Sequence, residues 1–242
     1  MKTRKVEPGS NKGSARSYTL ALEGATYEGS VALLAGSTVV AERTIRRSDG
    51  DPSSMRSGER LMPAVAECLA EAGVERGEIA RIVCGAGPGS FTSLRVAASV
   101  AKGLAAGYGV ELFAVSSLLL AVTGAQPPLV PGEYLSVLNA MRGELFAQRI
   151  ILGSAGAASP TGPATIISID QLAEIVESER AVKVIGPAQL CDVGPHARGV
   201  APILATIVET GPVDLASWEP DYGRLAEAQV RWEAAHGRPL GR

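Results

Sequence analysis

A mixed α/β fold is predicted by three features of this 242-residue chain. Three short apolar runs open it, the last two joined by a two-residue turn. Helical apolar spacing then alternates with strand-like runs up to about residue 123. A glycine-rich loop sits between one such strand and the helix that follows it.

Tyr18–Glu23, Gly29–Ala35 and Thr38–Ile45 read as strands. Gly36-Ser37 is the short connection of an antiparallel hairpin, so the three form a meander. A polar loop, Arg46–Ser57, follows. Gly58–Ala72 carries apolar residues at helical spacing and is stopped by Gly73. Ile79–Cys84 is a buried strand, Thr92–Gly107 a helix, Val110–Val115 a strand and Ser116–Thr123 a short helix. Gln126–Gly132 contains three prolines and reads as a rigid linker and a domain boundary. Beyond it, Tyr134–Asn139 and Glu144–Leu152 form a hairpin turning at Met141-Arg142-Gly143. Thr165–Ile169, a helix over Asp170–Glu177 and the strand Ala181–Ile185 continue a smaller second lobe. Pro202–Thr210 reads as a helix with proline at its tolerated first position.

The loop Gly85-Ala86-Gly87-Pro88-Gly89-Ser90-Phe91-Thr92 allows two readings. A glycine turn leading into a helix N-terminus can cradle a phosphate on its backbone N–H groups, with Gly85, Gly87, Gly89, Ser90 and Thr92 in contact. It can equally be a tight turn whose Ser90 or Thr92 caps the helix. It fails the P-loop pattern, since no lysine follows the glycines. It fails the dinucleotide fingerprint, since Ser90 stands at the sixth position. It fails the nucleophile elbow, since Thr92 stands two residues after Ser90.

Composition narrows the rest. A formal net charge of −2 implies no general affinity for nucleic acid. Hydrophobic residues make up 46% of the chain without a bilayer-length run, and no N-terminal apolar region reads as a leader, so a cytoplasmic protein without membrane contact is expected. Cys68, Cys84 and Cys191 are odd in number and lack C-x-x-C spacing, which argues for free thiols and against a metal site. Residues 1–16 interleave Lys2, Arg4, Lys5, Lys12 and Arg16 with Pro, Gly and Ser, and read as a disordered basic tail. A solvated extension is the plain account of it; an electrostatic contact with tRNA or a partner is the other. His196 and His236 are far apart, form no zinc-binding spacing, and are expected at the surface among their Gly and Pro neighbours. No nucleophile with a base stands out, so a peptidase lacks its machinery.

On the first helix Leu61, Val65, Cys68 and Ala72 share one face, and Met62, Ala66, Leu69 and Ala70 a neighbouring one. The second helix is rich in small residues: Ala97, Ala98, Ala101, Gly103, Ala105 and Ala106. A helix apolar around most of its circumference needs cover on more than one side. Its own sheet supplies one side; the second lobe or a partner helix supplies the other.

The string G-P-G-S-F-T-x-L-R at residues 87–95, continued by Ala101-Lys102-Gly103-Leu104-Ala105, resembles the TsaB (YeaZ) family, bacterial proteins required for threonylcarbamoyladenosine in tRNA. Further segments match in order: Ala21-Leu22-Glu23-Gly24-Ala25-Thr26, Arg60-Leu61-Met62-Pro63, Gly143-Glu144-Leu145-Phe146, Pro220-x-Tyr222-x-Arg224 and Ala226-Glu227-Ala228. The similarity runs over roughly residues 17–232 and is thin from 153 to 205. It implies an actin/sugar-kinase-like (ASKHA) two-lobed fold, with a first lobe at 17–125, a linker at 126–132, a degenerate second lobe at 133–216 and a C-terminal segment at 217–242. It also implies a non-catalytic subunit, with no cofactor of its own, that binds and activates a TsaD-like transferase. That transferase modifies the adenosine 3′ of the tRNA anticodon. A TsaE-like ATPase would dock at the junction, ATP and Mg²⁺ would act only within the complex, tRNA would be met only indirectly, and the chain alone could pair with a second copy. The residues carried onto the partner face are Leu61, Met62, Leu69, Leu94, Ala98 and Lys102.

The chain departs from the family at three places. Glu23-Gly24 stands where the family has Asp-Thr, Asn139-Ala140-Met141-Arg142 where it has Asp-Ala-Arg, and Ser93 where it has glycine. Glu23, Gly24 and Thr26 would therefore form a degenerate nucleotide site. The alternative function is a nucleotide-binding small-molecule kinase or ATPase of the same fold; the glycine loop favours it and the missing strand-end Asp opposes it.

Overall fold

Strands β1 (Tyr18–Glu23), β2 (Gly29–Ala35) and β3 (Thr38–Ile45) form the expected antiparallel meander. Strands β4 (Ile79–Gly85) and β5 (Glu111–Val115) add on the far side of β1, in parallel, giving the order β3-β2-β1-β4-β5. The central strands are apolar at successive positions because both faces of the sheet are buried. Leu20, Leu22, Val31, Leu33, Ile82 and Cys84 face one way. Ala21, Ala32, Leu34, Val83 and Phe113 face the other. The computed structural model describes residues 17–46, 60–179, 182–189, 191–224 and 236–237. The basic tail, most of the polar loop after Ile45 including Met55–Glu59, and Ala226-Glu227-Ala228 lie outside the described residues.

Helices α1 (Leu61–Ala72) and α2 (Phe91–Tyr108) cover the first face side by side. Gly73 ends α1 in the left-handed conformation, φ 64°, and Val74 N–H donates to Leu69 O. The second helix runs past the expected stop at Gly107 and ends at Gly109, φ 61°. Gly107 is tolerated because it lies on the exposed side; only Gly109 adopts the backbone that terminates the helix, with Val110 N–H donating to Ala105 O.

The opposite face packs on α3 (Ser117–Thr123), whose N-terminus Ser116 caps by accepting from Leu119 N–H. The same helix lies under the second sheet, so one continuous core serves both lobes. That sheet is built on the hairpin of β6 (Gly132–Met141) and β7 (Glu144–Leu152). Arg142 and Gly143 at its tip both have positive φ, 59° and 77°, the backbone of a two-residue hairpin turn closed by the Met141–Glu144 pair. Strands β8 (Ala158–Pro160) and β9 (Thr165–Ser168) both pair with β7, and β10 (Lys183–Ile185) pairs in parallel with β6. Helix α4 (Ile169–Ser178), opened by a Ser168/Gln171 capping box, covers the outer face.

The segment expected as a helix from Pro202 begins earlier. Ala197–Ile203 is a 3-10 stretch with Pro202 inside it, and α5 (Leu204–Glu209) continues from there. His196 starts it, and here the sequence expectation is corrected: His196 is buried, not a surface residue. Its Nδ1 accepts from the Arg198 backbone N–H at 3.1 Å and from Arg198 Nε at 3.0 Å. The proton therefore sits on Nε2, which donates to Thr44 Oγ1 at 3.0 Å on β3. Burial and the neighbouring Arg198 charge push the imidazole down to about 3. Arg198 Nε also pairs with Glu42 at 3.0 Å, fastening this segment to the first sheet.

Candidate functional site

The end of β1, the glycine loop and the start of α3 meet at one point, and Glu23 is its centre. Its carboxyl is wholly buried. Oε1 accepts from Ala25 N–H at 2.6 Å, and Ser117 Oγ donates to both oxygens at 3.0 and 3.2 Å. Ser117 Oγ in turn accepts from Gly87 N–H at 3.0 Å, and Ser117 N–H donates to Gly87 O at 2.9 Å. Burial outweighs these bonds and pushes the carboxyl up to about 7. A Cβ on Gly85 would collide with this carboxylate, so the longer Glu arm fits because Gly85 has no side chain. The carboxylate the sequence placed in a degenerate nucleotide site thus satisfies the chain's own backbone.

The loop is equally occupied. Ala86 N–H donates to Val115 O and Ser90 N–H to Ala25 O, both at 2.7 Å. Pro88, held in a cis peptide after Gly87, has no N–H to offer. A Cβ on Gly89 would strike the Ala25 carbonyl and one on Gly87 the Asp221 carbonyl, so both glycines answer close backbone approaches within the chain. Neither expected cap is made by the residue expected: Ser90 stands at the N-cap but its side chain makes no capping bond, and its Oγ instead accepts from Ser93 Oγ at 3.1 Å. Thr92 is exposed on the first turn of α2. Thr26 Oγ1 closes its own turn by donating to Glu28 O at 2.6 Å.

A Cβ on Gly24 would come within 2.7 Å of Ala97 Cβ and 3.3 Å of the Ser93 backbone carbonyl oxygen, so the chain after β1 and α2 approach each other closely there.

The six residues carried onto a partner face divide. Leu61, Leu94 and Ala98 are 1%, 0% and 5% exposed and buried within the chain: Leu61 packs between α1 and the sheet, and Leu94 packs under the glycine loop in the core shared with α3. They are not presented to a partner. Lys102 is half-buried, and its Nζ donates to Trp218 O at 2.6 Å. Met62 is 47% exposed, and Leu69 is half-exposed. The outward side of α1 presents Met62, Pro63, Ala66 and Ala70, and that of α2 presents Ser99, Gly103, Ala106 and Gly107. Glu67 and Glu71 at the α1 edge are paired with Arg43 at 3.1 and 2.5 Å. Cover for α2 comes partly from Val213, Leu215 and Trp218, which sequence reasoning did not assign to it.

The model of the TsaD family, tRNA N6-adenosine threonylcarbamoyltransferase, matches residues 52–176. The tRNA threonylcarbamoyladenosine biosynthesis protein TsaB of Bacillus subtilis is 26% identical over 234 residues, covering 88% of this chain and 96% of that protein. The TsaB of Escherichia coli is 32% identical over 88 residues, 36% of this chain and 38% of that protein. Among solved structures, YeaZ from Pseudomonas aeruginosa superposes with a TM-score of 0.68 at 24% identity, over 85% of this chain and 99% of its own. A second structure, described as an uncharacterized protein with similarity to peptidase YeaZ from Pseudomonas aeruginosa, gives 0.70 at 24% identity, over 86% of this chain and 100% of its own. These two likenesses concern the fold.

Proposed function

Because the chain belongs to the tRNA N6-adenosine threonylcarbamoyltransferase family, on its TsaB (YeaZ) branch, we propose that it serves tRNA threonylcarbamoyladenosine biosynthesis as a non-catalytic subunit that binds and activates a TsaD-like transferase. The observation that carries this reading is the contrast between its two candidate surfaces. The Glu23 carboxylate and the Ala86, Gly87 and Ser90 amides of the loop bond to the chain itself. The α1–α2 side exposes Met62 and a set of small residues, Ala66, Ala70, Ser99, Gly103 and Ala106, that let another helix approach closely.

In this reading the chain works by differential binding. It buries its α1–α2 face against one arrangement of the transferase and raises the population of that arrangement. A TsaE-like ATPase joins at the junction, ATP and Mg²⁺ belong to the assembly, tRNA is met through the transferase, and a second copy covers the face when the chain is alone. The kinase or ATPase alternative would require Glu23 and the Ala86, Gly87 and Ser90 amides to leave their present partners.

Met62 is the test of the face. Met62→Asp puts a charge on the exposed side of α1 while touching little of the core, so the unfolding free energy is expected to change by about 0.5 kcal/mol or less and affinity for the transferase to fall at least tenfold. Titrating the variant into a threonylcarbamoylation assay of the TsaD-like subunit reads this directly. Full activation at wild-type concentrations would refute the placement.

A further inference from the structure

The chain that leaves α5 returns across the whole molecule. Val213 N–H donates to Leu112 O at 2.8 Å on the edge strand β5, and Leu215 and Trp218 lie against the α1–α2 side of the core. Lys102 Nζ then grips Trp218 O at 2.6 Å, and Pro220 is buried. From there the segment crosses from the first lobe to the second. Asp221 N–H donates to Ala86 O at 2.7 Å in the glycine loop, and the Tyr222 ring lies 4.5 Å from the Phe91 ring at the start of α2. Two residues on, Gly223 sits so close to the Phe146 ring that a Cβ would overlap it. The Arg224 guanidinium lies 5.9 Å over the same ring and forms an ion pair with Glu144, just past the turn of the β6–β7 hairpin.

We infer that residues 218–224 are a latch over the mouth of the interlobe seam, and that its second-lobe end is the part that releases. The shared core around α3 holds the lobes together further in. At the mouth the link between glycine loop and hairpin is this segment. Its two ends are unequal. The first-lobe end is held by a backbone hydrogen bond, a lysine and a buried proline. The second-lobe end is held by one ion pair, with side chains 28% and 43% exposed, and one ring face. There Arg224 Nε is also buried without a hydrogen-bond partner among the described residues. A partly exposed pair is weakened by salt, and an unsatisfied buried donor further lowers the worth of the closed state. Local opening therefore starts at Arg224 and, where it spreads back through Tyr222 to Asp221, uncovers Gly87, against which the Asp221 carbonyl lies. This inference stands apart from the partner reading and is tested on the chain alone.

Hydrogen–deuterium exchange of the full chain decides it. Arg224→Ala is expected to speed exchange at least tenfold in peptides covering 85–91 and 218–224 while leaving 18–35 unchanged. Raising salt from 50 to 500 mM should shift the wild type in the same direction and leave the variant unmoved. Glu144→Gln carries the same test if Arg224→Ala does not fold. Unchanged exchange in both segments, or a uniform rise across the chain, would overturn the latch.

Discussion

Gly89→Ala is expected to destabilise the protein by about 3 kcal/mol, the upper end of what overpacking costs in a well-filled site. The new methyl would meet the Ala25 carbonyl and Cβ. That carbonyl is fixed by β1 and by accepting from Ser90 N–H, so it cannot retreat without breaking the bond that seats the loop. Gly85→Ala should be comparably damaging for a different reason: its methyl would meet the Glu23 carboxylate, the far end of a side chain. Shortening that side chain withdraws the carboxylate by roughly one methylene. Glu23→Asp should therefore rescue a large part of the Gly85→Ala loss and none of the Gly89→Ala loss. Urea unfolding of the two double variants beside the singles measures this coupling. Equal behaviour of both pairs would mean that Glu23 does not fill the slot at Gly85.

Glu23→Gln is expected to stabilise the protein above neutral pH and to do nothing for it in mild acid. Burial raises the folded-state carboxyl from 4.5 to about 7. Between those values the folded chain holds a proton that the unfolded chain has released, so stability is fully present below pH 4.5 and is lost as pH rises to about 7. The loss amounts to about 3 kcal/mol above that point. A glutamine keeps an acceptor for Ala25 N–H and carries no charge to desolvate. His196 has the opposite slope. Its folded value, about 3 against an ordinary 6.5, makes stability fall as pH drops below 6.5. The two slopes oppose each other between pH 4.5 and 6.5, which flattens the wild-type profile. The variant removes one of them, so its stability should rise visibly with pH over that interval. Unfolding midpoints at pH 5 and pH 8.5 suffice. A gain of equal size at both would show that Glu23 is not the titrating group.

How much of this was legible depended on whether a residue's partner is near it in sequence. The meander, β4, β5 and both long helices rest on local periodicity, and their positions followed from it within a residue or two. The end of α2 did not, because Gly107 and Gly109 look alike in sequence and only the backbone each adopts, left-handed at Gly109 alone, separates them. The burial of His196 was invisible among glycines and prolines, since the residue that receives its proton, Thr44, is 152 positions away. Lys102 belongs to the same class: its position on a small-residue helix suggested an exposed interface, whereas its partner is a carbonyl 116 residues on. Leu61 and Leu94 sit on helices apolar on several sides, where sequence alone does not separate the side that faces a partner from the side that faces the chain's own core, which both residues occupy. The glycine loop was legible as a motif and ambiguous as chemistry. The carbonyls of Ala25 and Asp221 account for Gly89 and Gly87 inside the fold. The Glu23 carboxylate occupies the space left open by Gly85.

The central claim is that the α1–α2 face is where this chain meets a TsaD-like transferase. Light scattering on a size-exclusion column, with this chain mixed with the TsaD-like subunit of the same source, tests it most directly. The account predicts a stoichiometric complex for the wild type and separate peaks for Met62→Asp at the same concentrations. A folded wild-type chain that elutes apart from the transferase, with or without ATP and the TsaE-like ATPase, would contradict it.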